Sequence, residues 1–92
     1  MSQSPAEQEL FDLAILRVLD SNRTRWGLSV EALGHLVGQF GFPTPAKELL
    51  LDRLDYLVSR PKTVEEVLKV ANRAARSWRI TEAGIDYVDN HP

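Results

Sequence analysis

Ser77-Trp78-Arg79-Ile80-Thr81-Glu82-Ala83-Gly84-Ile85-Asp86-Tyr87-Val88 decides the fold, because its apolar period changes at Thr81. Trp78 and Ile80 alternate with Arg79, as a half-buried strand requires, whereas Ile85 and Val88 recur at helical spacing. Thr81 stands between the two patterns, and its hydroxyl is of the kind that caps a helix N-terminus. This stretch therefore reads as a short strand running directly into a short C-terminal helix. A lone strand leaves its backbone groups unpaired, so the junction also demands a partner strand.

The segment that must supply that partner fits two patterns. Thr63-Val64-Glu65-Glu66 scores as a capping box, and Val64, Val67, Leu68, Ala71 and Ala75 fall on one helical face. Val64, Leu68 and Val70 also lie in one alternating frame, interrupted by Glu66, while residues 71–76 can form the tip of a hairpin with Ser77 to Thr81. The need of the downstream strand for a partner selects the hairpin, with strands over roughly 64–70 and 77–81.

Three helical patterns precede it. Ser4-Pro5-Ala6-Glu7 combines a cap, a proline suited to the first helical position and the glutamate of a capping box. Phe11, Ala14, Ile15, Val18 and Leu19 then share one side of a helix that stops at Asp20-Ser21-Asn22. After a linker, residues 23–28, Ser29 caps a second helix that turns Val30, Leu33, Val37 and Phe40 inward and ends at Gly41. Gly34 and Gly38 inside it imply close approach by a neighbouring helix, since each costs about 1 kcal/mol relative to alanine. Thr44 and Pro45 open a third helix, which runs to about Ser59 and buries Ala46, Leu50, Leu54 and Leu57, with Leu49 and Val58 at the margins.

Three helices, a hairpin and a Thr81-Glu82-x-Gly84 junction resemble the winged helix-turn-helix superfamily, whose last wing strand often ends in a similar sequence. The resemblance covers Ser4 to Val88 and implies a mainly α fold with a small antiparallel β-hairpin: a three-helix core, a wing over about 64–81 and a short C-terminal helix. One domain over residues 4–90 is expected, with flexible termini at 1–3 and 91–92. In that superfamily the third helix enters the DNA major groove and the wing touches the backbone or minor groove. By position, this nominates Thr44, Lys47, Glu48, Leu51, Asp52 and Asp55 on the helix, flanked by Arg53, and Lys69, Arg73, Arg76 and Arg79 on the wing.

Charge divides these two halves. The net charge is −2, but residues 61–81 carry five bases against two acids and 82–92 carry three acids alone. Lys69, Arg73, Arg76 and Arg79 form a run without an acid, which suits phosphate contacts. With Leu50 taken as inward, a turn of 100° per residue puts Glu48, Asp52, Asp55 and Ser59 on the outer face of the third helix. Three carboxylates there would confront phosphates. Two uses of the fold follow: a DNA-binding transcriptional regulator working through the third-helix N-terminus and the basic wing, or a module that binds a protein partner through its acidic helix face.

Other chemistries find little support. The chain of 92 residues has no cysteine and two histidines, and His35 and His91 fall in no metal-ligand spacing, so neither a disulfide nor a metal centre is expected. No glycine-rich phosphate loop and no nucleophile with an oriented base is present, so the expectation is a non-enzymatic protein without a cofactor. The opening residues lack a signal-peptide pattern, and no apolar run approaches the ~20 residues that span a bilayer, which points to the cytoplasm and away from a membrane. Ala6, Leu10 and Leu13 make a second apolar stripe on the first helix, a candidate contact for a weak homodimer unless Leu16 or the C-terminal helix enlarges it.

Overall fold

A computed structural model describes residues 5–23, 26–39, 46–59, 62–67 and 76–90. In chain order these form α1 (Pro5–Ser21), β1 (Leu28–Ser29), α2 (Val30–Gly38), α3 (Lys47–Ser59), β2 (Val64–Glu66), β3 (Ser77–Ile80) and α4 (Glu82–Asp89). The protein is thus mainly helical with a small antiparallel sheet, whose strand order is β1-β3-β2. Ser4, Phe40, Gly41, Thr44, Pro45, residues 68–75 and the two termini, where the sequence predicts a cap, a helix end, a hairpin tip or flexibility, lie outside the described residues.

On α1 the expected stripe is buried: Phe11, Ala14, Ile15, Val18 and Leu19 all face the core. Leu16 joins them, which corrects its placement with the outer stripe, because α1 packs against α2, α4 and β3 at once and needs a wider apolar face than one neighbour would demand. The helix ends at Asn22, whose side-chain amide donates to the Val18 carbonyl at 2.8 Å.

Ser29 begins α2 as a cap, its hydroxyl accepting from the Ala32 N–H at 3.2 Å. Gly34 is buried, and a Cβ built there would touch the Leu50 side chain at 3.7 Å, so α2 and α3 approach closely where the glycine stands. On α3, Leu50, Leu54 and Leu57 face the core while Glu48, Asp52, Asp55 and Ser59 are exposed, as the 100° turn requires. Ala46 is exposed rather than buried, because it precedes the helix and serves it only through the carbonyl that accepts the Leu50 N–H.

The strand pair expected around Trp78 forms, with Val64 opposite Ile80, Glu65 opposite Arg79 and Glu66 opposite Trp78. Its first strand is described over Val64–Glu66, and the Val67 N–H continues the pairing to the Ser77 carbonyl at 2.9 Å, while residues 68–70, over which the sequence extends this strand, lie outside the described residues. A second partner goes beyond the sequence reading: the end of the supposed linker is β1, which pairs Leu28 with Trp78 and Ser29 with Ser77. Gly27 makes this possible. Its φ is +71°, and a Cβ there would overlap the Trp78 carbonyl oxygen, so only glycine lets the chain turn this tightly onto β3. With strands on both sides and helices behind it, Trp78 is fully buried at the centre of the core.

The Thr81-Glu82-x-Gly84 junction closes the domain for equally local reasons. Thr81 accepts from the Gly84 N–H at 3.2 Å through its hydroxyl, donates that hydroxyl to the Lys62 carbonyl at 2.7 Å, and donates its own N–H to the Thr63 carbonyl at 3.0 Å. Gly84 is the third requirement, since a Cβ there would overlap the same Thr63 carbonyl and lie 2.5 Å from Ile80 Cγ1. Strand, cap and helix are thereby pinned to the start of β2.

Candidate interaction surface

The nominated polar and basic residues fall into three groups. Thr44, Lys69 and Arg73 lie outside the described residues. Lys47 is exposed in the first turn of α3. Arg53, Arg76 and Arg79 each meet a carboxylate of the same chain.

Arg53 crosses from α3 to α1 and grips Asp12 in a two-pronged pair, Nε to Oδ1 at 2.8 Å and Nη2 to Oδ2 at 2.5 Å. Both side chains are largely enclosed, at 17% and 15% exposure, and the hydrogen bonds to Asp12 hold the guanidinium pKa above its ordinary value. The guanidinium also stacks on Tyr56, 4.5 Å from the ring centre. Arg53 is therefore the link between α1 and α3. Leu51, nominated with it for the helix face, packs partly against the core instead.

Arg76 is similarly committed. It gives Nε to Glu66 Oε2 at 2.8 Å and Nη2 to Glu66 Oε1 at 2.9 Å, and the same Nη2 reaches Asp55 Oδ1 at 3.2 Å. Its guanidinium lies 5.0 Å from the centre of the Trp78 ring. The pair with Glu66 raises the pKa of Arg76 and lowers that of the glutamate. Arg79 pairs with Glu65 directly across β2 and β3. These ion pairs explain why Glu66 interrupts the apolar alternation of β2: it sits opposite Trp78 and supplies the counter-charge for the guanidinium over that ring.

Beyond Lys47 in its first turn, what α3 presents outward is mainly acidic and aromatic. Glu48, Asp52 and Asp55 are exposed, and Tyr56 beside them is one of three exposed large hydrophobic side chains among the described residues. Sequence reasoning found the acids but missed Tyr56, Asp12, Glu65 and Glu66. The four-residue spacing from Asp52 to Tyr56 was an available signal, because residues four apart are neighbours on a helix surface. On α1, Ala6 and Leu10 are exposed and Leu13 is half-buried.

Among the described residues, no group of three or more His, Cys, Asp and Glu side chains is arranged to hold a metal ion, and no helix is long and apolar enough to cross a membrane. Comparison of the chain with protein-family models, with curated proteins and with solved structures gives no match.

Proposed function

We propose that this chain is a winged-helix-type interaction module, without enzymatic activity, that binds a protein partner through the outer face of α3. The observation that carries this is the commitment of the arginines: Arg53, Arg76 and Arg79 are held by Asp12, by Glu66 with Asp55, and by Glu65. A phosphate backbone would have to displace those carboxylates and then face Glu48, Asp52 and Asp55 across α3. A protein partner carrying arginine or lysine meets no such opposition, and Tyr56 adds the rigid aromatic contact typical of energetic centres in interfaces. The scaffold reading draws on the sequential pair α2 and α3, the antiparallel strands β2 and β3, and the Thr81 junction into α4.

The acid-free run from Lys69 to Arg79 favours the competing use, in which the chain binds duplex DNA. Titration into a random-sequence duplex at low and moderate salt, followed by amide shifts, separates the two. Protein docking predicts no saturable DNA binding at low salt, whereas a short arginine-rich peptide shifts the amides of Glu48, Asp52, Asp55 and Tyr56. A steep salt-dependent affinity for the duplex, with shifts around residues 69–79, would overturn it.

A further inference from the structure

A different surface pairs with itself. Along α1, Glu9, Leu13 and Arg17 follow one another at four-residue intervals, and Ala6 and Leu10 lie beside them at spacings of three and four. Acid, leucine and base thus run in order along one side of the helix. Leu10 is 59% exposed, the most exposed large hydrophobic side chain among the described residues. Leu16 lies in the core and α1 packs against α4, so the stripe is bounded on that side by the body of the domain.

We propose that this stripe joins two copies of the chain as an antiparallel, two-fold pair of α1 helices centred on Leu13. A two-fold axis at Leu13 brings Glu9 opposite Arg17 of the partner subunit, and Arg17 opposite Glu9 of the partner subunit, while the two Leu13 side chains meet at the axis. Parallel packing would set glutamate against glutamate and arginine against arginine. The charge order along the helix therefore selects both the occupant, a second copy, and its direction. The apolar stripe is narrow, so the pair dissociates on dilution.

Sedimentation equilibrium up to about 1 mM tests the assignment. Glu9→Arg and Arg17→Glu each bring like charges together at two symmetric places, and each weakens self-association roughly five- to twenty-fold. Mixing the two variants restores it, because in the mixed pair both positions are basic on one subunit and acidic on the other, so each meets its opposite. A second readout does not depend on either variant folding: a nitroxide on Ala6→Cys, which introduces the sole cysteine of the chain, broadens amides near Asp20 of an unlabelled, isotope-enriched partner. A wild type that stays monomeric at about 1 mM overturns the proposal, as does a mixture of the two variants that associates no better than either alone. Broadening centred on Ala6 would overturn the antiparallel direction.

Discussion

Replacing Asp12 or Arg53 by alanine should destabilise the protein about as much as losing a core methyl cluster, although both residues are charged and one sits on the helix expected to read DNA. The magnitude follows from how enclosed the pair is. Exposed ion pairs contribute roughly 0–1 kcal/mol, and breaking a fully buried one from one side costs about 3–5 kcal/mol. At 17% and 15% exposure, with two charge-assisted hydrogen bonds, the pair falls between these limits. Each single alanine variant should cost about 2–3 kcal/mol. In Asp12→Ala the Arg53 guanidinium keeps its stacking on Tyr56, so part of its interaction survives. A double-mutant cycle by urea unfolding, monitored by circular dichroism, should give a coupling of about 2 kcal/mol between the two positions. Coupling below about 0.5 kcal/mol would show that solvent screens the pair and that Arg53 does not link α1 to α3. Loss of any partner in Arg53→Ala must then be judged against Tyr56→Ala, which removes an exposed ring and should leave stability within about 1 kcal/mol.

Three further outcomes follow from single contacts. Gly84→Ala forces a methyl into the Thr63 carbonyl and should cost about 3 kcal/mol or more, lowering the melting temperature by roughly 10 °C or more; a shift of under about 3 °C would mean that α4 can slide away from β2. Thr63→Val keeps the shape of a buried side chain whose hydroxyl has no hydrogen-bond partner among the described residues, so stability should rise by about 1 kcal/mol, and a loss on urea unfolding would reveal an acceptor for that hydroxyl. Glu66 titrates below the ordinary carboxylate range because Arg76 donates to its ionised form. Its contribution is therefore complete above the unfolded-state pKa of about 4.3 and is lost as pH falls through the folded one, so Glu66→Gln should flatten the acid side of the stability profile. An unchanged slope between about pH 3 and 5 would assign the acid sensitivity elsewhere.

Much of the scaffold was legible because it obeys local rules. Thr81 and Ser29 cap helices for the reason their hydroxyls predict, and the inward stripe of α1 and the outward acids of α3 follow from the 3.6-residue turn alone. The misreadings share a different cause. β1 has two residues, too few for alternation to register, and it exists only because Gly27 folds it onto Trp78. Leu16 and Leu51 looked peripheral from their own helices, but Leu16 is buried in the core and Leu51 packs partly against it. Periodicity reports one neighbour's direction. It cannot report how many neighbours arrive.

The candidate site was the least legible part, and the charges show why. Counted along the chain, residues 61–81 hold a surplus of positive charge, and a basic wing is the natural reading. Counted in space, Arg76 belongs with Glu66 and with Asp55 from α3, Arg79 with Glu65, and Arg53 with Asp12, 41 residues away. The hairpin register alone places Glu65 against Arg79, so that pairing was within reach once the strands were aligned. The contacts of Arg76 with Asp55 and of Arg53 with Asp12 depend instead on where α3 lies against the sheet and α1, which no local pattern encodes. Ligand recognition depends on the field that survives such pairing rather than on the inventory of charges. At α3 the surviving field is that of Glu48 and Asp52, offset at the first turn by Lys47, with Asp55 shared with Arg76, beside an exposed tyrosine. The same residues that made the sequence look poorly suited to DNA form, in the folded chain, the exposed face of α3 on which the proposed protein partner would dock.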